Sequence, residues 1–188
     1  MKQELQHIIN LCLTEDRSAQ EKLYHYTFKN LLKSVMIYSK DYNDSKWLFN
    51  MGMLKIYRSL SQFNRGTDYL AWASVIIRRT CIDYFRKNKK YTENLSPVDI
   101  EDQINKHIDF DTILNQLDTE IIIRAIQNLP ENQRIVFSMF ELDDYSHVEI
   151  ETMIGINSNT SKWLLAKAKK NLKEKLAGYY NIKTTSNE

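Results

Sequence analysis

The stretch "SHVEIETMIGINSNTSKWLLAKAKKNLKEKL", Ser146 to Leu176, decides how the chain is read. Ser146 with Glu149 three residues on is a capping box, the signature of a helix start. The helix it opens is short, and Gly155 ends it. Asn157 or Ser158 then caps a longer helix. A short capped helix, a turn with glycine and a longer helix make a helix-turn-helix. Its second member normally lies in the DNA major groove, with its N-terminal residues at base edges. At about 100° per residue, Leu165, Ala168, Leu172 and Leu176 fall on one side and face Ile150, Met153 and Ile154. Asn159, Trp163, Lys167 and Lys170 fall on the other, with Lys162, Lys169 and Lys173 flanking. Phosphate would neutralise these lysines with release of counterions. Trp163 is expected to point away from the core, ready for a partner to cover it. The competing reading is a solvated, lysine-rich surface helix with Trp163 packed inside its own domain.

Upstream, Ile113 to Leu129 repeats apolar residues at Leu117, Ile121, Ile122, Ala125 and Leu129. Pro130 stands where a first-turn proline is tolerated. "ENQRIVFSMFEL" continues as a helix, and the tail "GYYNIKTTSNE" is expected to fray. Before this, "NKKYTENLSPVDIEDQINKHIDFD" is acidic, weakly periodic and holds Pro97, so it reads as a linker. A short surface helix near Ile100 to Ile108 is the alternative. The first half shows four helical segments. They begin around Glu4, Ala19, Asp44 and Asp68, the last capped by Thr67 or Asp68 after the break at Gly66. The fold class is therefore all-α: two small helical domains joined by an acidic linker, the second containing the helix-turn-helix. The expected bounds are 1–90, 91–112 and 113–188.

Composition agrees with this reading. Among 188 residues are only two prolines and four glycines, which disfavours a fold of many tight turns. Net charge is only +2, but it is unevenly spread. Arg78 to Lys90 carries six basic residues, Glu93 to Glu120 eight acidic ones, and Ser158 to Leu176 six lysines. Such alternation points to a nucleic-acid partner. Cys12 and Cys81 share no spacing with histidines, so no disulfide framework is expected. No apolar run reaches a membrane span, and the expectation is a cytoplasmic protein without membrane insertion. There is no glycine-rich phosphate loop. His7, His25, His107 and His147 do not lie at metal-ligand spacing. Neither an enzyme nor a cofactor or metal is expected.

The residues also carry a resemblance. Leu129-Pro130, Ser146 to Ile150, Gly155-Ile156-Asn157 and Thr160-Ser161-Lys162 resemble the promoter-reading domain of bacterial RNA polymerase sigma factors of the extracytoplasmic-function (ECF) type. Phe63, Trp72, Ile82, Asp83, Arg86 and Lys87 resemble the pattern of that family's other domain. The resemblance implies a sigma factor that confers promoter recognition on core RNA polymerase without catalysis of its own. It implies −35 contacts from Ser158, Asn159, Thr160, Lys162, Trp163, Lys167 and Lys170. It implies −10 contacts from Phe63, Asn64 and Arg65 and from Arg78, Arg79, Arg86 and Lys87, with Tyr69 and Trp72 nearby for stacking. Core polymerase would be gripped through Asp44, Leu48, Asn50, Met51 and Leu54. Promoter DNA and an anti-sigma factor are the other implied partners of a monomer. The sequence departs from the family at Ser45-Lys46-Trp47, where an acidic run is usual, and at Arg79, Trp163 and Leu164. The alternative function is a polymerase-independent helix-turn-helix regulator.

Overall fold

The computed structural model describes residues 2–88 and 119–185, all of whose elements are helical. The chain divides into two compact units, 1–84 and 85–188. The acidic stretch 91–112 and the expected helix start at 113–118 lie outside the described residues.

The first unit is built from α1 (Lys2–Leu13), α2 (Arg17–Met36), α3 (Tyr42–Ser59) and α4 (Tyr69–Asn88). A short 3₁₀ turn, Leu60–Gln62, follows α3. Helices α2, α3 and α4 each start with a side-chain cap. Asp16 accepts from Ala19 N at 2.7 Å, Asp41 from Asp44 N at 2.8 Å, and Asp68 from Ala71 N at 2.8 Å. These satisfy amides that the first turn leaves without a helical partner. Of the two caps expected for α4, Asp68 is the one used.

Helix α2 is the centre of this unit, packing on α1 and α3. Its buried residues Ala19, Leu23, Thr27, Leu31 and Val35 recur every four residues, one face of a helix. Phe49 of α3 meets Tyr24 and Phe28 of α2 edge-on, at centroid distances of 5.5 and 5.1 Å. Thr27, fully buried, shares a 2.8 Å hydrogen bond with the Tyr69 hydroxyl at the start of α4. Helices α3 and α4 approach closely at Gly52, where an added Cβ would stand 2.9 Å from Ile77 Cγ1. Helix α3 buries Leu48, Phe49, Gly52, Met53 and Ile56. Trp47, Met51 and Leu54, which also recur at helical spacing, are exposed.

The second unit contains α5 (Thr119–Gln127), α6 (Glu131–Phe137), a π-helical turn (Ser138–Leu142), α7 (His147–Ile154) and α8 (Ser158–Thr185). Pro130 is the N-cap of α6, one position ahead of the first turn. Arg134 is buried and its Nη1 donates to the carbonyls of Gln127 and Leu129, at 3.2 and 3.0 Å. A guanidinium thereby terminates α5 and fixes the turn into α6. The expected continuous helix over Glu131 to Leu142 instead changes to π geometry at Ser138. Asp143 N bonds to Ser138 O at 3.1 Å, and Asp144 takes a left-handed conformation with φ 59°. Aspartate tolerates that region better than most residues. Helix α8 packs on α5, α6 and α7 through Leu164, Leu165, Ala168, Leu172 and Leu176. It runs on to Thr185, so residues 178–185 of the tail expected to fray continue the helix, and 186–188 lie outside the described residues.

Candidate nucleic-acid interface

The capping box at Ser146 is complete. The Ser146 hydroxyl accepts from Glu149 N at 3.3 Å, and Glu149 Oε2 accepts from Ser146 N at 2.8 Å. The Ser146 hydroxyl also donates to Glu149 Oε2 at 2.7 Å, and this bond, followed by the one from Ser146 N, holds the Glu149 carboxyl below its ordinary pKa. Gly155 closes α7 at φ 65°, a left-handed conformation that glycine adopts without a Cβ clash. Asn157 then caps α8, its Oδ1 accepting from Asn159 N at 2.9 Å. Asn157 rather than Ser158 is therefore the cap. Among the exposed positions that follow are Asn159, Lys162, Lys169 and Lys170, while Thr160 and Lys167 are half-buried. Lys169 is paired with Glu141 at 2.7 Å, which draws part of its charge inward.

Two expected DNA-binding residues are placed differently. The Ser158 hydroxyl donates to Glu151 Oε2 at 2.6 Å and lies 3.3 Å from the His147 carbonyl oxygen. It is occupied in holding α8 to α7. Trp163 does not stand free of the fold. It is half-buried, and its Nε1 is shut off from solvent without a hydrogen-bond partner among the described residues. Its N–H is not presented to a base edge. Leu164 is buried in the core.

In the first unit, Phe63 is 7% exposed and packs against Tyr69 and Trp72, at 5.8 and 5.1 Å between ring centroids. Phe63, expected among the −10 contacts, is therefore placed in the core. Trp72, half-buried, is the aromatic of this cluster nearest the surface. Asn64 folds the loop: its Oδ1 accepts from Gly66 N at 3.0 Å, and its carbonyl accepts from Thr67 N at 2.9 Å. Arg65 at the loop tip is exposed. With Gly66, Thr67 and Asp68 it walls a cleft of about 160 Å³, closed on the other side by Leu5, Gln6 and Ile9 of α1. The sequence reading missed this contribution of α1, since nothing local ties Leu5 to Arg65. On α4, Arg79, Arg86 and Lys87 are exposed and Arg78 is half-buried. Asp83 pairs with Lys55 across the α3–α4 contact at 3.3 Å.

The expected polymerase contacts separate similarly. Leu48 is 2% exposed, a core residue with no surface to offer. Met51 and Leu54, both expected among these contacts, are exposed, and with Trp47 they make an apolar stripe. Trp47 leans on Tyr84 at 4.8 Å. Asn50 is exposed, and its Oδ1 accepts from the Tyr24 hydroxyl at 2.8 Å. Asp44 accepts from Lys40 N at 3.1 Å and supports the start of α3.

The described residues hold no group of three or more histidine, cysteine or acidic side chains placed for a metal ion. None of their helices is long and apolar enough to cross a membrane. Both cysteines are buried and unbridged, and burial together with Asp16 pushes the Cys12 thiol up to about 11.

A capped helix, a left-handed glycine and a basic second helix define a helix-turn-helix protein of nucleic-acid recognition. Residues 119–172 match the family described as Sigma-70, region 4, and residues 23–91 match Sigma-70 region 2. The ECF RNA polymerase sigma factor SigM of Mycobacterium tuberculosis is 25% identical over 171 residues, covering 88% of this chain and 81% of that protein. The RNA polymerase sigma factor SigI of Bacillus subtilis is 24% identical over 147 residues, covering 77% and 58%. The ECF RNA polymerase sigma factor SigF of Caulobacter vibrioides is 27% identical over 124 residues, covering 66% of each. The co-crystal structure of the sigma factor RpoE with the anti-sigma factor NepR from Bartonella quintana is similar at a TM-score of 0.46 and 18% identity, covering 84% and 96%. The chain belongs to the sigma-70 family, among its ECF sigma factors. It is a sigma factor of transcription initiation, conferring promoter recognition on RNA polymerase, and not itself an enzyme.

Proposed function

We propose a division of labour between the two units. The N-terminal domain, 1–90, grips core polymerase and the −10 element. The C-terminal domain, 113–188, reads the −35 element as duplex, and 91–112 links them. In the C-terminal domain Asn159, Thr160 and Lys162, at the start of α8, meet base edges, while Lys167 and Lys170 meet phosphates. One observation carries this reading. The capped α7 and Gly155 bury α8 on its leucine face and leave Asn159 and Lys162 exposed at its first turn. That is the end of a recognition helix that enters the groove.

In the N-terminal domain, Arg79, Arg86 and Lys87 supply phosphate contacts from α4, with Arg78 beside them. The loop Asn64–Arg65, with Trp72 near it, receives melted DNA, where aromatic stacking contributes roughly 1–3 kcal/mol per base. Met51 and Leu54, with Trp47, are the apolar part of the polymerase-facing surface, flanked by Asp44 and Asn50. An anti-sigma factor is the proposed regulatory partner, by resemblance to the family, of a monomeric cytoplasmic protein without membrane insertion.

The test is reconstitution. The purified chain, mixed with bacterial core polymerase, is expected to co-elute with it and to start transcripts at discrete sites on a genomic template. Leu54→Asp is expected to lower association with core at least tenfold while duplex binding is kept. Tight duplex binding with no association with core would place the chain among polymerase-independent regulators.

A further inference from the structure

The first turn of α8 is held to α7 by side-chain hydrogen bonds. Glu151 Oε2 accepts from Ser158 N at 3.1 Å and from the Ser158 hydroxyl at 2.6 Å. One turn earlier on α7, His147 Nδ1 lies 2.8 Å from Ser161 Oγ. Ser161 is fully buried, so its hydroxyl needs a partner, and the imidazole is the side chain that supplies one. The ring is set in plane by Phe140, stacked at 4.3 Å between centroids with 21° between the planes. Glu151 also fills the N-terminus of α8, where exposed amides and the helix dipole favour an anion. A carboxylate of the chain's own thus occupies a place that a DNA phosphate would otherwise suit.

We propose that Glu151 and His147 are positioning residues for promoter reading: with Ser158 and Ser161 they form a polar clasp that sets the angle and rotation at which α8 enters the groove. The proposal rests on the reading of α8 as the groove-reading helix. Base-edge hydrogen bonds tolerate errors of only about 0.5 Å and 10–20° in placement. Phosphate contacts are sequence-independent and forgiving. Loosening the clasp therefore lowers binding to the correct sequence and leaves binding to other sequences unchanged. None of the four residues needs to touch DNA for this effect.

The experiment uses the full chain with bacterial core polymerase to enrich duplexes from a randomised pool. Wild type and variants are then measured on the most enriched duplex and on a scrambled one, with urea unfolding in parallel. Ser158→Ala and His147→Leu are expected to weaken binding to the enriched duplex about tenfold, with the scrambled duplex unaffected. His147→Asn places an amide at the position of Nδ1 without the ring. It is expected to restore most of the loss, which packing against Phe140 alone would not allow. Parallel losses on both duplexes, or no loss on either, would overturn the clasp. If His147→Leu does not fold, Ser158→Ala decides, because it removes one exposed-side hydroxyl and no apolar contact. If the wild-type chain enriches nothing, the reading of α8 itself has failed and the clasp falls with it.

Discussion

At the scale of the residue, two glycines separate two physical reasons for having no side chain. Gly155 has open space around its missing Cβ but sits at φ 65°. Alanine there fits sterically and suffers only in its backbone, at a cost of roughly 1–2 kcal/mol. Asparagine is expected to cost less, since its short polar side chain eases the left-handed conformation. Gly52 has an ordinary helical backbone and no space, with Ile77 against it. Alanine at 52 is expected to destabilise the first unit by about 1–3 kcal/mol through overpacking. Urea midpoints of the two variants, with unchanged m values, check both, and a Gly52→Ala protein as stable as wild type would contradict the packing described. Glycine at both positions is visible in the sequence. The reason for Gly52 was not, because the constraint comes from a residue 25 positions away on another helix.

At the scale of the element, the helix-turn-helix was legible because its signals are local. Ser146, Glu149, Gly155 and Asn157 each act within one turn of themselves. Leu48 of α3, expected beside Met51 and Leu54 at the surface, is core instead, because that helix is apolar on two faces and periodicity alone does not say which face is buried. The clasp was not found either, since Glu151 reads as one more solvated acid until its distance to Ser158 is known. The same element carries a pH dependence. Burial, and after it the Lys162 charge, holds the His147 imidazole below its ordinary value of 6.5. A neutral group in the fold takes up its proton later than in the unfolded chain. Stability of the second unit is therefore full above about pH 6.5 and falls as pH drops through the lowered value. Glu149, also lowered, holds its contribution above about pH 4.5 and loses it on further acidification. Thermal unfolding between pH 8 and 2 is expected to show both declines, and His147→Asn to remove the first. Ser146→Ala is expected to lower stability by about 1 kcal/mol at neutral pH.

At the scale of the whole molecule, charge is what the sequence showed in outline and the structure resolved into groups paired within the fold and groups at its surface. Lys169 is turned toward Glu141, whereas Lys162 is exposed. Lys162→Ala is expected to reduce the salt dependence of duplex binding by about one unit in the log–log slope, and Lys167→Ala likewise. Titrating binding between 50 and 200 mM salt checks each, and an unchanged slope removes that lysine from the phosphate contacts. The near approach at Gly52 has a further consequence for the first unit. With backbone pressed against side chain, α3 and α4 cannot slide past each other without opening a void or a clash. The two helices behave as one beam. On the proposed division of labour, a partner that levers the Trp47 edge of α3 carries Arg79 along with it, which ties recruitment to the transcription machine to the proposed grip on melting DNA.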